Sequence, residues 1–298
     1  MKANITQRRY NILTDFSRVY DFLEETYDFE TLNSYLLPQF FEYAQHLIWF
    51  DYIRTHRIGL WEHEGKVVGI SAYEMEIGKA LLHTRKEYEF LLPDLLKWAE
   101  TELAEVKDGE KSLHIWTTEK EHDKNTLLET QGYEQVYQDA ITIFDYKKPF
   151  LERQLPIGFK LIDGTNIDYE KLGTCFWRGF NNKGDAPENN ADGNMKVAHA
   201  PHADKSLMTI VVAPNGEYAC ALGMWYDERN KYAYLEPMAT VPEYRRLGLG
   251  TTALMEAMKK TKVLGATYCF GGPVMDFYPL IGFEVKNHRM LWKKRFDN

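Results

Sequence analysis

The chain is poor in cysteine. Cys175, Cys220 and Cys269 are its three. No two stand at a short paired spacing, so neither a disulfide framework nor a zinc ligand set can be read from them. Long apolar runs are also missing, which excludes a transmembrane helix, and Met1-Lys2-Ala3-Asn4 does not open a signal peptide. A cytoplasmic, reducing location is the expectation. Basic charge is short as well: 36 Lys and Arg stand against 44 Asp and Glu, a formal net charge of −8. That balance argues against nucleic acid and anionic membrane as partners. No metal is expected, because the two histidines of His199-Ala200-Pro201-His202 are not completed by a further ligand. The sequence is well supplied with apolar residues, 44% of its 298, and with aromatics, 14%. This is enough for sizeable cores, and the length suggests two domains.

The order of elements supports that division. Asp15 is placed to cap a helix from Phe16 to about Glu25. Residues 58–62 and 66–73 read as a hairpin turning at His63-Glu64-Gly65, and 79–83 as a further strand. A helix follows over 91–103, a strand over 112–116, a helix over 123–130 ending at Gly132, and a strand over 133–146. Lys147 to Pro156 is charged, contains two prolines and reads as a linker. The second half then repeats the order: a strand at 159–162, a helix at 169–180, a hairpin over 207–226, a strand at 231–240, a helix at 251–262 and a strand at 267–270. A short helix around Met275 to Leu280 leads into Ile281-Gly282-Phe283-Glu284, which matches Gln131-Gly132-Tyr133-Glu134. A repeat of roughly 150 residues is a domain duplication rather than a solenoid. The expected division is a first domain at 1–148, a linker at 149–156 and a second domain at 157–298. Residues 181–206 have no counterpart in the first half and read as a long polar loop.

One stretch carries chemistry. Val241-Pro242-Glu243-Tyr244-Arg245-Arg246-Leu247-Gly248-Leu249-Gly250-Thr251 joins a strand to a helix start. Its glycines allow close backbone approach, and the unpaired N–H groups of a first helical turn attract an anion such as a diphosphate. The first half has Thr84-Arg85-Lys86-Glu87-Tyr88-Glu89 there, with no glycine and two carboxylates, so it should not hold the anion. Pro237, inside the preceding strand, has no N–H to give and calls for an edge or a bulge.

This stretch resembles the acetyl-CoA loop of the GNAT acetyltransferase superfamily, Q/R-x-x-G-x-G/A after a strand. Phe277-Tyr278-Pro279-Leu280-Ile281-Gly282-Phe283 resembles the later aromatic-Tyr-x-x-x-Gly-Phe segment of the same family. The resemblance implies an α/β (α+β) fold of two tandem GNAT-like domains, each a mixed, mostly antiparallel twisted sheet flanked by helices. The first copy would be degenerate and the second active. It implies acetyl-CoA as co-substrate, held by Arg245, Arg246, Leu247, Gly248, Leu249, Gly250, Thr251 and Phe277. The pantetheine arm would lie along the backbone of Met238, Ala239 and Thr240, with the N–H of Met238 or Ala239 on the thioester oxygen. Tyr278 would be the general acid, and Glu236 the candidate base, directly or through water. The chain departs from the family at Gly271, where many members have an asparagine that contacts the cofactor. No Ser or Cys nucleophile with a base is evident, which favours direct attack by an amine in a ternary complex over a covalent enzyme intermediate. The acceptor is expected to be a small-molecule amine. The alternative is a non-catalytic acyl-CoA-binding or regulatory protein of the same fold. A relative that uses aminoacyl-tRNA lacks support from the charge, and a nucleotide hydrolase lacks its Gly-Lys-Ser/Thr ending.

Overall fold

Alternating and amphipathic patterns become strands and helices in the expected order. The structure, a computed structural model, describes residues 4–272 and 277–296. The first half holds β1 (Ile5–Arg9), α1 (Ile12–Glu25), α2 (Pro38–His46), β2 (Gly59–His63), β3 (Lys66–Tyr73) and β4 (Lys79–Thr84). It continues with α3 (Leu92–Trp98), β5 (Glu105–Lys107), β6 (Glu110–Thr118), α4 (His122–Thr130) and β7 (Glu134–Asp145). The second half holds β8 (Lys160–Asp163), α5 (Tyr169–Gly179), α6 (Asn190–Ala198), β9 (Thr209–Val212), β10 (Tyr218–Asp227) and β11 (Tyr232–Thr240). After these come α7 (Leu249–Leu264), β12 (Tyr268–Phe270), α8 (Phe277–Leu280) and β13 (Glu284–Phe296). Met275, where the last short helix was expected to begin, lies outside the described residues, as do the first three residues of the chain. No helix among the described residues is long and apolar enough to cross a membrane.

The chain forms two compact units, but not with the expected boundaries. One comprises Met1–Gln45, Trp49–Ile141 and Lys286–Asn298; the other comprises His46–Ile48 and Thr142–Val285. In the first unit β1 to β4 are antiparallel, β4 is parallel to β6, and residues 289–296 of β13 pair antiparallel with β6. In the second, β8 to β11 are antiparallel, β11 is parallel to β12, and residues 143–145 of β7 pair antiparallel with β12. Each sheet is thus mixed and mostly antiparallel, and each is completed by a strand from the other half of the sequence. Element order carries no information about which sheet a last strand joins, so the 157–298 assignment missed this exchange. The expected linker also belongs to the second unit. Phe150 packs against Phe144 and Tyr146 at ring distances of 5.4 and 5.3 Å, and Leu155 packs on the core.

Two other local expectations change. The N-cap of α1 is Asn11, whose Oδ1 accepts the Leu13 N–H at 3.1 Å. Asp15 is instead buried and held by Arg8 at 2.6 Å and Arg18 at 3.0 Å. The 181–206 segment is not simply a solvated loop, because it contains α6. Asn190 of α6 is buried, and its amide nitrogen lies where a Cβ on Gly173 of α5 would be, 2.5 Å away.

In the first unit the cleft between the two parallel strands is filled. β4 pairs with β6 only as far as Leu81 and Trp116. Arg85 N–H donates to Val68 C=O, so the alternate residues Leu82 and Thr84 turn their backbone groups away from β3, toward the cleft. The Leu82 carbonyl there accepts Lys124 Nζ at 2.8 Å and Ser34 Oγ at 3.3 Å. Lys124 is buried, hydrogen-bonds Ser34 and pairs with Glu121 at 2.5 Å. Ser34 sits on a left-handed turn in which Leu32, Asn33, Ser34 and Tyr35 have φ of 52, 50, 56 and 68°. Such conformations cost on the order of 1 kcal/mol or more each and persist only where packing enforces them. Lys124→Met would leave Glu121 and the Leu82 carbonyl without their buried partner. It should lower the unfolding free energy by about 3–5 kcal/mol, read from the urea midpoint; a loss below about 1 kcal/mol would show that the cluster contributes little.

Candidate functional site

The second unit keeps its cleft open, beginning at the bulge in β11. Leu222 faces Met238 and Met224 faces Leu235, so the single residue Gly223 lies opposite both Glu236 and Pro237. A Cβ on Gly223 would stand 2.5 Å from the Glu236 carbonyl oxygen, so a side chain there would collide with the bulge. Trp225 Nε1 donates to that same carbonyl at 2.9 Å. On its other side β11 pairs with β12 only through Tyr232, Ala233 and Tyr234, opposite Tyr268, Cys269 and Phe270. Beyond Tyr234 no strand among the described residues pairs with that side of β11.

Strand alternation decides which backbone groups look into this gap. Val241 N–H donates to Ala219 C=O on the β10 side. Ala239, two residues earlier and opposite Ala221, therefore faces β10 and is used in the ladder. Met238 and Thr240 turn the other way. Of the three expected backbone partners, Met238 and Thr240 face the gap and Ala239 does not. The Thr240 carbonyl is already taken by Arg245 Nε at 3.0 Å, leaving its N–H and both Met238 groups. Met238 occupies the position of Leu82 in the first unit, as Val241 occupies that of Arg85.

The loop after β11 leads to the start of α7. Arg246 has φ 66° and Gly248, the N-cap, has φ 79°. A Cβ costs energy in this left-handed region, and Gly248 avoids that cost. No side chain caps α7, so the N–H groups of Leu249, Gly250 and Thr251 point out of the first turn. Gly250 is the meeting point of three elements: a Cβ there would be 3.0 Å from Met238 Cε, 3.4 Å from Thr240 Oγ1 and 3.7 Å from Phe277 Cζ. Leu249 and Thr251 are buried, so they offer this surface only their backbone, whereas Leu247 is exposed. Arg245 is anchored: besides Thr240 C=O, it bonds Gly179 C=O at 2.8 Å and Asn181 Oδ1 at 2.9 Å. The sequence alone suggests that Arg245→Glu abolishes cofactor binding with the fold intact. These three bonds mean that this change also loosens the end of α5.

Tyr278 approaches the gap from the side of β12. It is buried, and its hydroxyl would be 3.0 Å from a Cβ on Gly272. Continuing the β11–β12 register by two residues sets Glu236 level with Gly272. The spacing of Tyr278 to Phe283 has a physical reason. Gly282, at φ 100°, reverses the chain so that Phe283 N–H donates to Tyr278 C=O at 3.1 Å. The two rings then pack edge to face at 5.2 Å. Gly271 is also accounted for: a Cβ would be 2.7 Å from Phe283 and 2.7 Å from Thr142 Oγ1, so the asparagine found in the family has no room. Of the aromatics at the end of α5, Phe176 is core and Trp177 Nε1 donates to Gly184 C=O, while Phe180, the C-cap, is exposed.

In the second unit a glycine-opened loop at a helix start thus lies beside a strand edge splayed by a bulge. The family model of the acetyltransferase (GNAT) family matches residues 176–283. Solved structures extend the likeness to the whole chain. A GCN5-related N-acetyltransferase from Sphaerobacter thermophilus superposes with a TM-score of 0.62 at 12% identity, covering 98% of this chain and 95% of that one. A tandem GNAT protein from the clavulanic acid biosynthesis pathway gives 0.65 at 11% identity, covering 98% of each. Saccharomyces cerevisiae N-myristoyltransferase with bound myristoyl-CoA gives 0.56 at 11%, covering 98% of this chain and 78% of that one. These likenesses show a tandem GNAT fold. A comparison with curated protein sequences gives no match.

The two units differ at this backbone position: Met238 faces the gap, whereas the Leu82 carbonyl is taken by Lys124 and Ser34. Gly223 was not singled out from the sequence, although it had a signal: a glycine in a strand pattern that faces a strand proline. Gly250→Val would fill the space shared by Met238, Thr240 and Phe277. It should abolish CoA binding by calorimetry and lower the unfolding free energy by no more than about 1–3 kcal/mol; wild-type affinity would show that Gly250 does not line the cofactor path.

Proposed function

We propose that the protein is an N-acetyltransferase that moves acetyl from acetyl-CoA to a primary amine of a small molecule, by direct attack in a ternary complex. The observation that carries this reading is the splay itself. The open edge of β11 at Met238, the loop at 245–251 and the Tyr278 hydroxyl end converge on one gap of the second unit. When bound, acetyl-CoA supplies an activated acyl carbonyl, which the amine nitrogen attacks as the C–S bond breaks.

The chain's own residues have distinct tasks. The N–H groups of Leu249, Gly250 and Thr251 receive the diphosphate at the positive end of α7. The backbone of Met238 and Thr240 pairs with the amide-rich pantetheine arm, as an added strand would. Met238 N–H, facing the gap, stabilises negative charge developing on the acyl oxygen. Glu236 takes the proton from the amine, directly or through water, and Tyr278 gives one to the departing sulfur. A cationic amine gives up two protons in all: Glu236 takes the one that frees the nitrogen lone pair and passes it to solvent, and the second, shed as the amide forms, replaces the proton that Tyr278 gives to sulfur. The acidic net charge of −8 suits a cationic amine before deprotonation and gives no support to a nucleic-acid partner.

A thiol-release assay with acetyl-CoA over a panel of amines tests this reading. Tyr278→Phe and Glu236→Gln should each lower kcat by about a hundredfold or more, with CoA affinity retained. Unchanged turnover in both variants would remove the acid and base assignments. CoA binding without turnover on any amine would favour a non-catalytic acyl-CoA-binding protein.

A further inference from the structure

The segment before β8 brings an arginine to the head of α7. Nε, Cδ and Cζ of Arg153 would stand 2.6, 2.8 and 2.9 Å from a Cβ on Gly248. The guanidinium group thus lies against the bare Cα of the N-cap. Its backbone is tied to the same place, since Thr252 Oγ1, in the first turn of α7, donates to Arg153 C=O at 3.3 Å. Gly248 therefore meets two demands at once, a left-handed φ of 79° and room for this side chain.

The charge there is unbalanced. Among the described residues, neither Arg153 nor Arg246 has a carboxylate partner, and both are exposed. The uncapped N–H groups of α7 add positive potential at the same point. A cation set against the N-terminal end of a helix is unfavourable alone. It becomes favourable when an anion lies between them, because both then attract it.

We propose that Arg153 is a diphosphate ligand of the acyl-CoA site and closes the cradle from the side of the 149–156 segment. This rests on the reading of 241–252 as the acyl-CoA loop. Arg153 touches the cofactor's phosphates and not the reacting atoms, so it sets affinity and positioning rather than the chemical step.

Calorimetric titration of the full-length protein with CoA and with dephospho-CoA tests it, using wild type, Arg153→Gln and Arg153→Lys, with the melting temperature of each unliganded protein measured alongside. Arg153→Gln should weaken both ligands by about ten- to a hundredfold, the size of a lost charge-assisted hydrogen bond. Arg153→Lys should recover part of the loss, and all unliganded melting temperatures should agree within about 2 °C. Arg153→Gln binding CoA as wild type does would overturn the proposal. So would a loss accompanied by a lower unliganded melting temperature, which marks a structural role. A loss seen with CoA but absent with dephospho-CoA would place the contact on the 3′-phosphate instead and overturn the diphosphate assignment. If the wild type binds neither ligand, the acyl-CoA reading itself fails and the proposal with it; a wild type that binds while Arg153→Gln is unaffected removes Arg153 alone.

Discussion

One extra residue in β11 controls the geometry of the second unit. Two residues, Glu236 and Pro237, face one, Gly223, and the strand departs from β12 immediately after Tyr234. Without that departure the groups of Met238 would be spent on a neighbouring strand, as sheet interiors demand. With it, a row of backbone hydrogen-bonding groups is left for a ligand. The loop and α7 follow directly from where β11 ends, and Arg245 fixes that end by bonding Thr240, Gly179 and Asn181. The bulge, the glycine loop and the tyrosine turn are three solutions to one problem: how to hold two parallel strands apart without losing the sheet.

The first unit solves it in the opposite way. Its parallel strands also part, after Leu81. There the exposed carbonyl of Leu82 is satisfied internally by Lys124 and Ser34, at the cost of a left-handed turn over Leu32–Tyr35. Unpaired backbone in a cleft has to find a partner. The first unit supplies it from its own side chains; in the proposed reading the second leaves the position at Met238 to the cofactor.

Much of this was readable from residues whose type restricts backbone geometry. Pro237 announced a bulge, Gly248 a left-handed turn, and the repeated Gly-aromatic-Glu pattern the last turn of each copy. The Tyr278 and Phe283 spacing was readable for the same reason, since a left-handed glycine sets where the next ring falls. What could not be read depends on long-range approach. Arg153 lies far in sequence from Gly248, and an exposed arginine in a charged segment has no pattern to distinguish it. The direction of Ala239 needed the register with β10, and the membership of β13 needed the sheet. The helix α6 was hidden by composition: asparagine, aspartate and glycine disfavour helix, and packing against Gly173 overrides that preference.

The exchange of last strands has a consequence for how this molecule can be taken apart. Residues 143–145 sit beside β12, while 289–296 sit beside β6. Cutting the chain in the 149–156 segment would therefore not release two finished halves. The second fragment would lack the strand that covers β12, next to Tyr278, and would carry a strand whose partner lies on the first fragment. Both would expose unpaired edges that invite association. Each half of the sequence thus supplies a strand that the other half's sheet is built with. Neither half of the sequence can be removed without leaving the other's sheet unfinished.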